Sequence, residues 1–475
     1  MRVLVQFRSS PQAHAALLAG EAGEPGPTAE PGPTAEPGPA AARIAGLSMD
    51  SGFAPVQLPT PRAARQGVSP FRWTQPVSFS MEPAEATYVV RGWIPDDPDA
   101  RRHTLAQAHA SPEVVGVFSD PAVQTCLTCA ASPPLGNDRD VARLLGVKAL
   151  ADAHLDGHNV LVALVDTGIN LAHLVSRGRT PKLSARRSWT PAGVSTRPGR
   201  HPVDHGTMCA YDVGIAAPEA TLLDYAVLRS RAAGETAMSG LLSDAVLAYS
   251  RLLAMLRSTP AGRRRLVVSN SWGMFDPAWD FPVGHPGNYS DNPAHPFNVI
   301  VASLADAGAD ILFAAGNCGG QCPDGRCGFD DGQPICGANS HPSVLSVAGI
   351  DTRKRRAGYS SQGPGRLSAS KPDVATYTHF AGSGVYPQDS GTSAACPVAA
   401  GVIAALRTLY PASLVSPARL RTLVAKTAAD LGRIGFDPGY GWGALDAEAL
   451  VASLAGVRRG RRGQGGAPPA AGLSS

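Results

Sequence analysis

The sequence predicts an α/β protein, a parallel sheet with helices on its faces, preceded by a small α+β domain. Two observations predict it. Apolar runs at 160–165, 221–228, 266–270, 311–315 and 344–348 alternate with helical stretches, and continuous apolar runs mark strands covered on both faces. The chain has 475 residues, too many for one small domain, and its first 121 follow a different pattern of short strands.

In that first part, residues 2–7 alternate as a short strand and 11–18 form a helix. Residues 86–94 (ATYVVRGWI) are β-branched and aromatic and make a strand, 99–110 a helix and 114–119 a strand, with a further strand near 53–58. The order βαββαβ is ferredoxin-like. Residues 24–39 repeat EPGPTA, and Pro and Gly at this density make an extended spacer that packs no core. Residues 122–140 read as a linker, with Pro133, Pro134, Gly136 and Asn137 as breakers. The main domain is expected over 141–455. A solvated tail carrying Arg458, Arg459, Arg461 and Arg462 follows over 456–475.

Composition narrows the partners. Apolar residues are 44% of the chain and charged ones 17%, with a formal net charge of +4. So small a charge predicts no nucleic-acid or membrane partner. The longest largely apolar run, 393–406, is too short to span a bilayer and reads as a buried helix. After Arg2 the apolar stretch covers only 3–7 with no small-residue cleavage site, which is not a secretory signal. The eight cysteines, even in number and partly clustered, lean the other way, towards disulfides in an oxidising compartment.

Three motifs carry chemistry. In LVALVDTGIN, Asp166 ends an apolar strand and Gly168 permits a turn; in open parallel sheets catalysis gathers at such strand ends. In DHGTMCAYDVG, Gly206 and Thr207 let the imidazole of His205 open a helix. In DSGTSAACPVAAGVIAAL, Ser393 opens a helix so apolar that it is buried all round. Its N-terminal N–H groups and partial positive charge suit a developing oxyanion. Pro397 is expected in its first turn, where no helical donor is lost.

Together DTG, HGT and GTSAACP, in that order, resemble the subtilisin family of serine peptidases, family S8. The resemblance covers about 141–452, and KPDVAT (371–376) and GYGWGALDAEAL (439–450) also look like family segments. It implies a serine endopeptidase with Asp166, His205 and Ser393 as triad. Asn317, in ILFAAGNCG, would be the side-chain donor of the oxyanion hole. Ser271, Trp272 and Gly273, with Ala315 and Gly316, would bind substrate. His205 would deprotonate Ser393, Asp166 would hold the imidazole, and an acyl-enzyme would form and hydrolyse. The partners implied are a peptide or protein substrate and the chain's own N-terminal domain, an intramolecular inhibitor removed by cleavage within 122–140. A permanently attached accessory domain is the alternative.

The sequence also departs from the family. The chain between His205 and the strand at 221 is short and lacks a common calcium loop, so that site is not assigned; no cofactor is required, and calcium at another, unidentified site is the alternative. An insertion after Asn317 holds Cys318, Cys322, Cys327 and Cys336, read as two disulfides, with zinc as alternative. Asp324, Asp330 and Asp331 are expected as solvated carboxylates, the alternative being that they make nearby subsites favour basic substrates. Cys126 and Cys129 form a C-x-x-C without redox context. Cys209 and Cys396 read as buried small hydrophobes, and His201 as a loop histidine. Competing functions are a processing protease or peptide macrocyclase, and an inactive binding module. The intact triad argues against the last.

Overall fold

The structure, a computed structural model, describes residues 1–8, 44–59, 87–125, 128, 132–230, 238–329 and 331–462. The helix expected at 11–18, the repeat at 24–39, Cys126, Cys129, Asp330 and the end of the tail lie outside the described residues.

The N-terminal domain is an antiparallel sheet. Strand β1 (Arg2–Arg8) lies in its middle; β2 (Ser48–Met49), β3 (Val56–Leu58), β4 (Thr87–Trp93) and β5 (Val114–Ser119) follow. Both β4 and β5 pair with β1, and β2 and β3 pair with the far side of β4. This is the ferredoxin-like spatial order that the sequence predicts. Helix α1 (Pro98–Ala110) is started by Asp97, whose carboxylate accepts the Ala100 N–H at 2.8 Å. The alternation of β1 divides two cores. Val3, Val5 and Phe7 pack inside the domain. Leu4 instead joins Val89 and Phe118 against the apolar faces of two helices of the main domain.

The stretch read as a linker is structured at both ends. Ala122–Thr125 is strand β6. Helix α2 (Asp138–Leu145) begins at a capping box in which Asn137 and Asp140 satisfy each other's backbone N–H groups. The breakers at 133–137 end the extended chain there and position that cap.

The main domain is a seven-stranded parallel sheet. Its members are β7 (Leu161–Val165), β8 (Lys182–Leu183), β9 (Thr221–Tyr225), β11 (Leu266–Asn270), β13 (Ala309–Ala314), β14 (Leu345–Ile350) and β15 (Val374–Tyr377). They lie in the order β15-β14-β13-β11-β7-β9-β8. Two short strands, β10 (Ser239–Leu241) and β12 (Trp272–Gly273), stand apart and take β6 between them. Helices α3 (His205–Val213) and α6 (Thr392–Arg407) cover one face of the large sheet, and α4 (Leu242–Ser258) and α5 (Pro296–Asp306) the other. Each face has its own core, which is why the strands read as unbroken apolar runs. From β7 the chain goes to β9 on one side and later to β11 on the other, so the order reverses beside β7 and leaves a crevice at the strand ends. Helix α7 (Ala447–Arg462) closes the description. The tail expected from 456 is therefore helical at least to Arg462. Among the described residues, no helix is long and apolar enough to cross a membrane.

Candidate active site

Asp166 is the first residue beyond β7. Its N–H donates to the Tyr225 carbonyl at 3.0 Å, and its Oδ1 accepts the Thr167 N–H at 2.7 Å. The turn that follows needs glycine. Gly168 has φ +93°, and a Cβ there would fall 2.3 Å from the His201 ring. His201 is a loop histidine, and a buried one that supports this turn. Desolvation pushes its pKa down to about 4, so it packs as the neutral ring.

His205 is the first residue of α3. Asp204 caps the helix, accepting the His205 N–H at 2.9 Å. Asp204 is itself held by the Arg229 guanidinium at 2.6 Å and the Tyr386 hydroxyl at 3.0 Å. The two motifs interlock. The Gly206 N–H donates to the Thr167 hydroxyl at 2.8 Å and the Asn170 N–H to the Thr207 hydroxyl at 3.0 Å. A Cβ on Gly206 would meet the Gly168 carbonyl at 2.6 Å, so only glycine lets α3 approach the turn. The result is a short contact between buried side chains: His205 Nδ1 lies 2.9 Å from Asp166 Oδ1 and 3.1 Å from Oδ2. Burial opposes protonation of the imidazole. The charge and hydrogen bond of Asp166, with Asp204 behind, outweigh it and hold the His205 pKa above its ordinary value.

Ser393 is the second residue of α6, all sixteen residues of which are buried. Pro397 is not in the first turn; it lies inside the helix. Its ring removes the N–H that would reach the Ser393 carbonyl four residues back. That carbonyl is instead satisfied from outside, by the Ser271 hydroxyl at 3.0 Å and the Cys209 thiol at 3.5 Å. The Ser393 hydroxyl points to the Ser271 carbonyl at 3.5 Å. His205 Nε2 is buried with no hydrogen-bond partner among the described residues.

Asn317 follows β13, Ala315 and Gly316. Its Oδ1 accepts both the Thr392 N–H and the Thr392 hydroxyl at 3.0 Å. This fixes the amide with Nδ2 towards Gly391, where a Cβ would come within 2.9 Å. Gly391, at φ +78°, both caps α6 and leaves room for that Nδ2. Gly316 donates its N–H to the Thr392 hydroxyl at 3.0 Å, and Ala315 donates to the Val347 carbonyl at 2.9 Å. Trp272 and Gly273 pair antiparallel with Thr125 and Gln124 of β6.

The cysteines divide in a way their spacing does not disclose. Cys318 and Cys327 are disulfide-bonded, and Cys322 is disulfide-bonded too. Cys336 is a buried free thiol in the core with Met274 and Tyr289. Two bridges closed among these four, or one four-cysteine zinc site, are both corrected by that burial. Asp324 is also buried, against Arg326, and is not a solvated carboxylate. Asp331 pairs with Arg366 at the surface.

Among the described residues, one set of metal-type side chains converges: Asp166, His205 and Cys209, with ligand atoms within 4.8 Å of one another. Burial pushes the Cys209 thiol well above its ordinary pKa. Its Sγ lies 3.6 Å from Asp166 Oδ2. Burial likewise raises the Cys396 thiol, to about 12.

Sequence reasoning missed Asp224, buried beneath the site. Its Oδ2 accepts the Ile169 and Gly199 N–H groups at 3.2 and 2.8 Å. Burial raises its pKa to about 7. A lone Asp within the apolar run LLDYAVL was the available signal.

The family comparison agrees with this geometry. The model of the Subtilase family, peptidase S8, matches residues 157–443. The chain belongs to the subtilase family. Subtilases are serine peptidases. Subtilisin E of Bacillus subtilis (strain 168) is 24% identical over 312 residues, 64% of this chain and 68% of that protein. Subtilisin of Bacillus pumilus is 24% identical over 312 residues and 94% of its length. The human membrane-bound transcription factor site-1 protease is 27% identical over 325 residues, 26% of its length.

Proposed function

We propose that this subtilase is a serine endopeptidase that cuts peptide bonds through an acyl-enzyme on Ser393. The contact of His205 Nδ1 with Asp166 at 2.9 Å, beside a serine at the start of a buried helix, carries the reading. His205 takes the Ser393 proton at Nε2 as the oxygen attacks the substrate carbonyl, then gives it to the leaving amine. Asp166 keeps the Nδ1–H tautomer and balances the imidazolium. Asn317 Nδ2 and the Ser393 N–H face the oxyanion. Water then releases the acyl group by the same steps in reverse.

Strand β6 supports a second part of the reading. A peptide lying between β10 and β12 adds a strand to both, which supplies affinity through main-chain hydrogen bonds. The N-terminal domain places its own chain there: Gln124 pairs with Ser239 on one side and Gly273 on the other. It thus inhibits by occupying the substrate's path. From Thr125, opposite Trp272, the chain reaches Thr128, whose hydroxyl is 3.4 Å from that of Ser390. The self-processing cut is accordingly expected between Thr125 and Thr128, a narrower window than 122–140.

Fluorophosphonate labelling of the full chain beside Ser393→Ala tests the peptidase reading. Label on Ser393 of the wild type alone is expected. A folded wild type that takes no label at any pH overturns it.

A further inference from the structure

The insertion after Asn317 takes no part in the chemistry above, yet it reaches the cleft. The Cys318–Cys327 bridge closes a short loop. Within it the Asp324 N–H donates to the Asn317 carbonyl at 2.8 Å, which ties the loop to the strand end that carries the oxyanion donor. The buried Asp324 carboxylate grips Arg326 at two points, Oδ1 to Nε at 3.0 Å and Oδ2 to Nη2 at 2.6 Å. The guanidinium also lies over the Phe275 ring, 4.6 Å from its centre. Carboxylate and ring together fix its plane. Its remaining donor capacity faces β6. Nη2 donates to the Thr125 carbonyl at 2.6 Å and Nη1 to the side-chain oxygen of Gln124.

We propose that Arg326 is a specificity-determining residue, selecting a side chain that ends in an acceptor oxygen, such as that of glutamine, over lysine at the substrate position opposite Gly273. The inference rests on the reading that β6 marks the substrate's path. The two contacts divide the work. Any peptide offers the main-chain carbonyl that Nη2 takes, so that bond adds affinity without choice. The Nη1 bond goes to a side chain and chooses. Asp324 already neutralises the guanidinium, so a glutamate gains little charge attraction that a glutamine lacks. A lysine offers no acceptor and sets like charge against like. Because Asp324 and Phe275 hold Arg326 in place, little ordering cost is left to the substrate.

The test uses the full chain after self-processing, with free sites counted by fluorophosphonate titration. Substrates are peptides of residues 119–131, with alanine for both cysteines and Gln, Glu, Ala or Lys at position 124. The wild type is expected to favour Gln over Lys about tenfold in kcat/KM, the scale of one partly exposed charge-assisted hydrogen bond. Arg326→Ala should bring the ratio within about twofold, and Arg326→Glu should reverse it, as its lone acceptor now suits lysine. Arg326→Lys, which keeps the donor, should retain the preference in part. A flat wild-type preference, which no folding defect of a variant can produce, overturns the proposal. So does a Gln-to-Lys ratio that survives Arg326→Ala in labelled enzyme. A wild type that neither labels nor cleaves any peptide overturns the peptidase reading, and this inference with it.

Discussion

The Ser271 hydroxyl donates to the main-chain carbonyl of Ser393 across 3.0 Å. It fills the place of the N–H that Pro397 lacks. Helix α6 is thus fastened to the chain that leads into β12. Ser271→Ala removes that fastening and leaves only the weaker Cys209 thiol at 3.5 Å. The expected cost is about 1–2 kcal/mol of stability. Urea unfolding in a Ser393→Ala background, where self-digestion is absent, measures it.

The Asn317 Oδ1 holds Thr392, while its Nδ2 lies beside Gly391 and is the proposed oxyanion donor. Asn317→Ala is expected to lower kcat about 10²–10³-fold with little change in KM, the usual cost of one oxyanion donor. Unfolding curves of the same variant separate this loss from any loosening at Thr392.

The pH profile follows from the Asp166–His205 pair. Catalysis needs the neutral imidazole, and the folded chain holds its pKa above the ordinary value. The acid limb of kcat/KM should therefore have its midpoint above about 6.5. Asp166→Asn should shift it down and reduce kcat about 10⁴-fold. The sign for stability is fixed by the same shift. The imidazolium's contribution is full below the unfolded pKa and is lost as pH rises through the higher folded one. Rate profiles and urea midpoints across pH 5–9 check both.

Arg407, at the end of the catalytic helix, is buried with Asp310 on β13. Its Nε and Nη2 meet the carboxylate at 2.5 and 2.6 Å. Asp310→Ala leaves a buried guanidinium without its counter-charge, and a loss of about 3–5 kcal/mol is expected. Urea unfolding in the Ser393→Ala background reads this too.

What was legible in the sequence was local. Asp166, His205 and Ser393 were picked out by three short motifs whose order resembles the subtilisin family, and Asn317 by the same resemblance. The sheet was legible because both faces are covered, which removes polar residues from its strands. The strand at 122–125 was not. AVQT is short and half polar, and its partners, Ser239–Leu241 and Trp272–Gly273, lie far along the chain. The cysteines were unreadable for a related reason: spacing does not say which thiol the fold buries, and Cys336 went into the core. Pro397 was misplaced by a few residues because Thr392 already begins the helix. Asp224 and His201 brace the Asp166 turn from beneath and belong to no motif; a lone Asp in an apolar run and a single loop histidine are signals whose role only packing discloses.

Ser393 is proposed to perform the chemistry and to act first on its own chain. Intact-mass analysis over time, with N-terminal sequencing, tests this on wild type beside Ser393→Ala. The wild type is expected to be cut between Thr125 and Thr128 and the mutant to stay whole. Equal cleavage of the two chains at that place would contradict it.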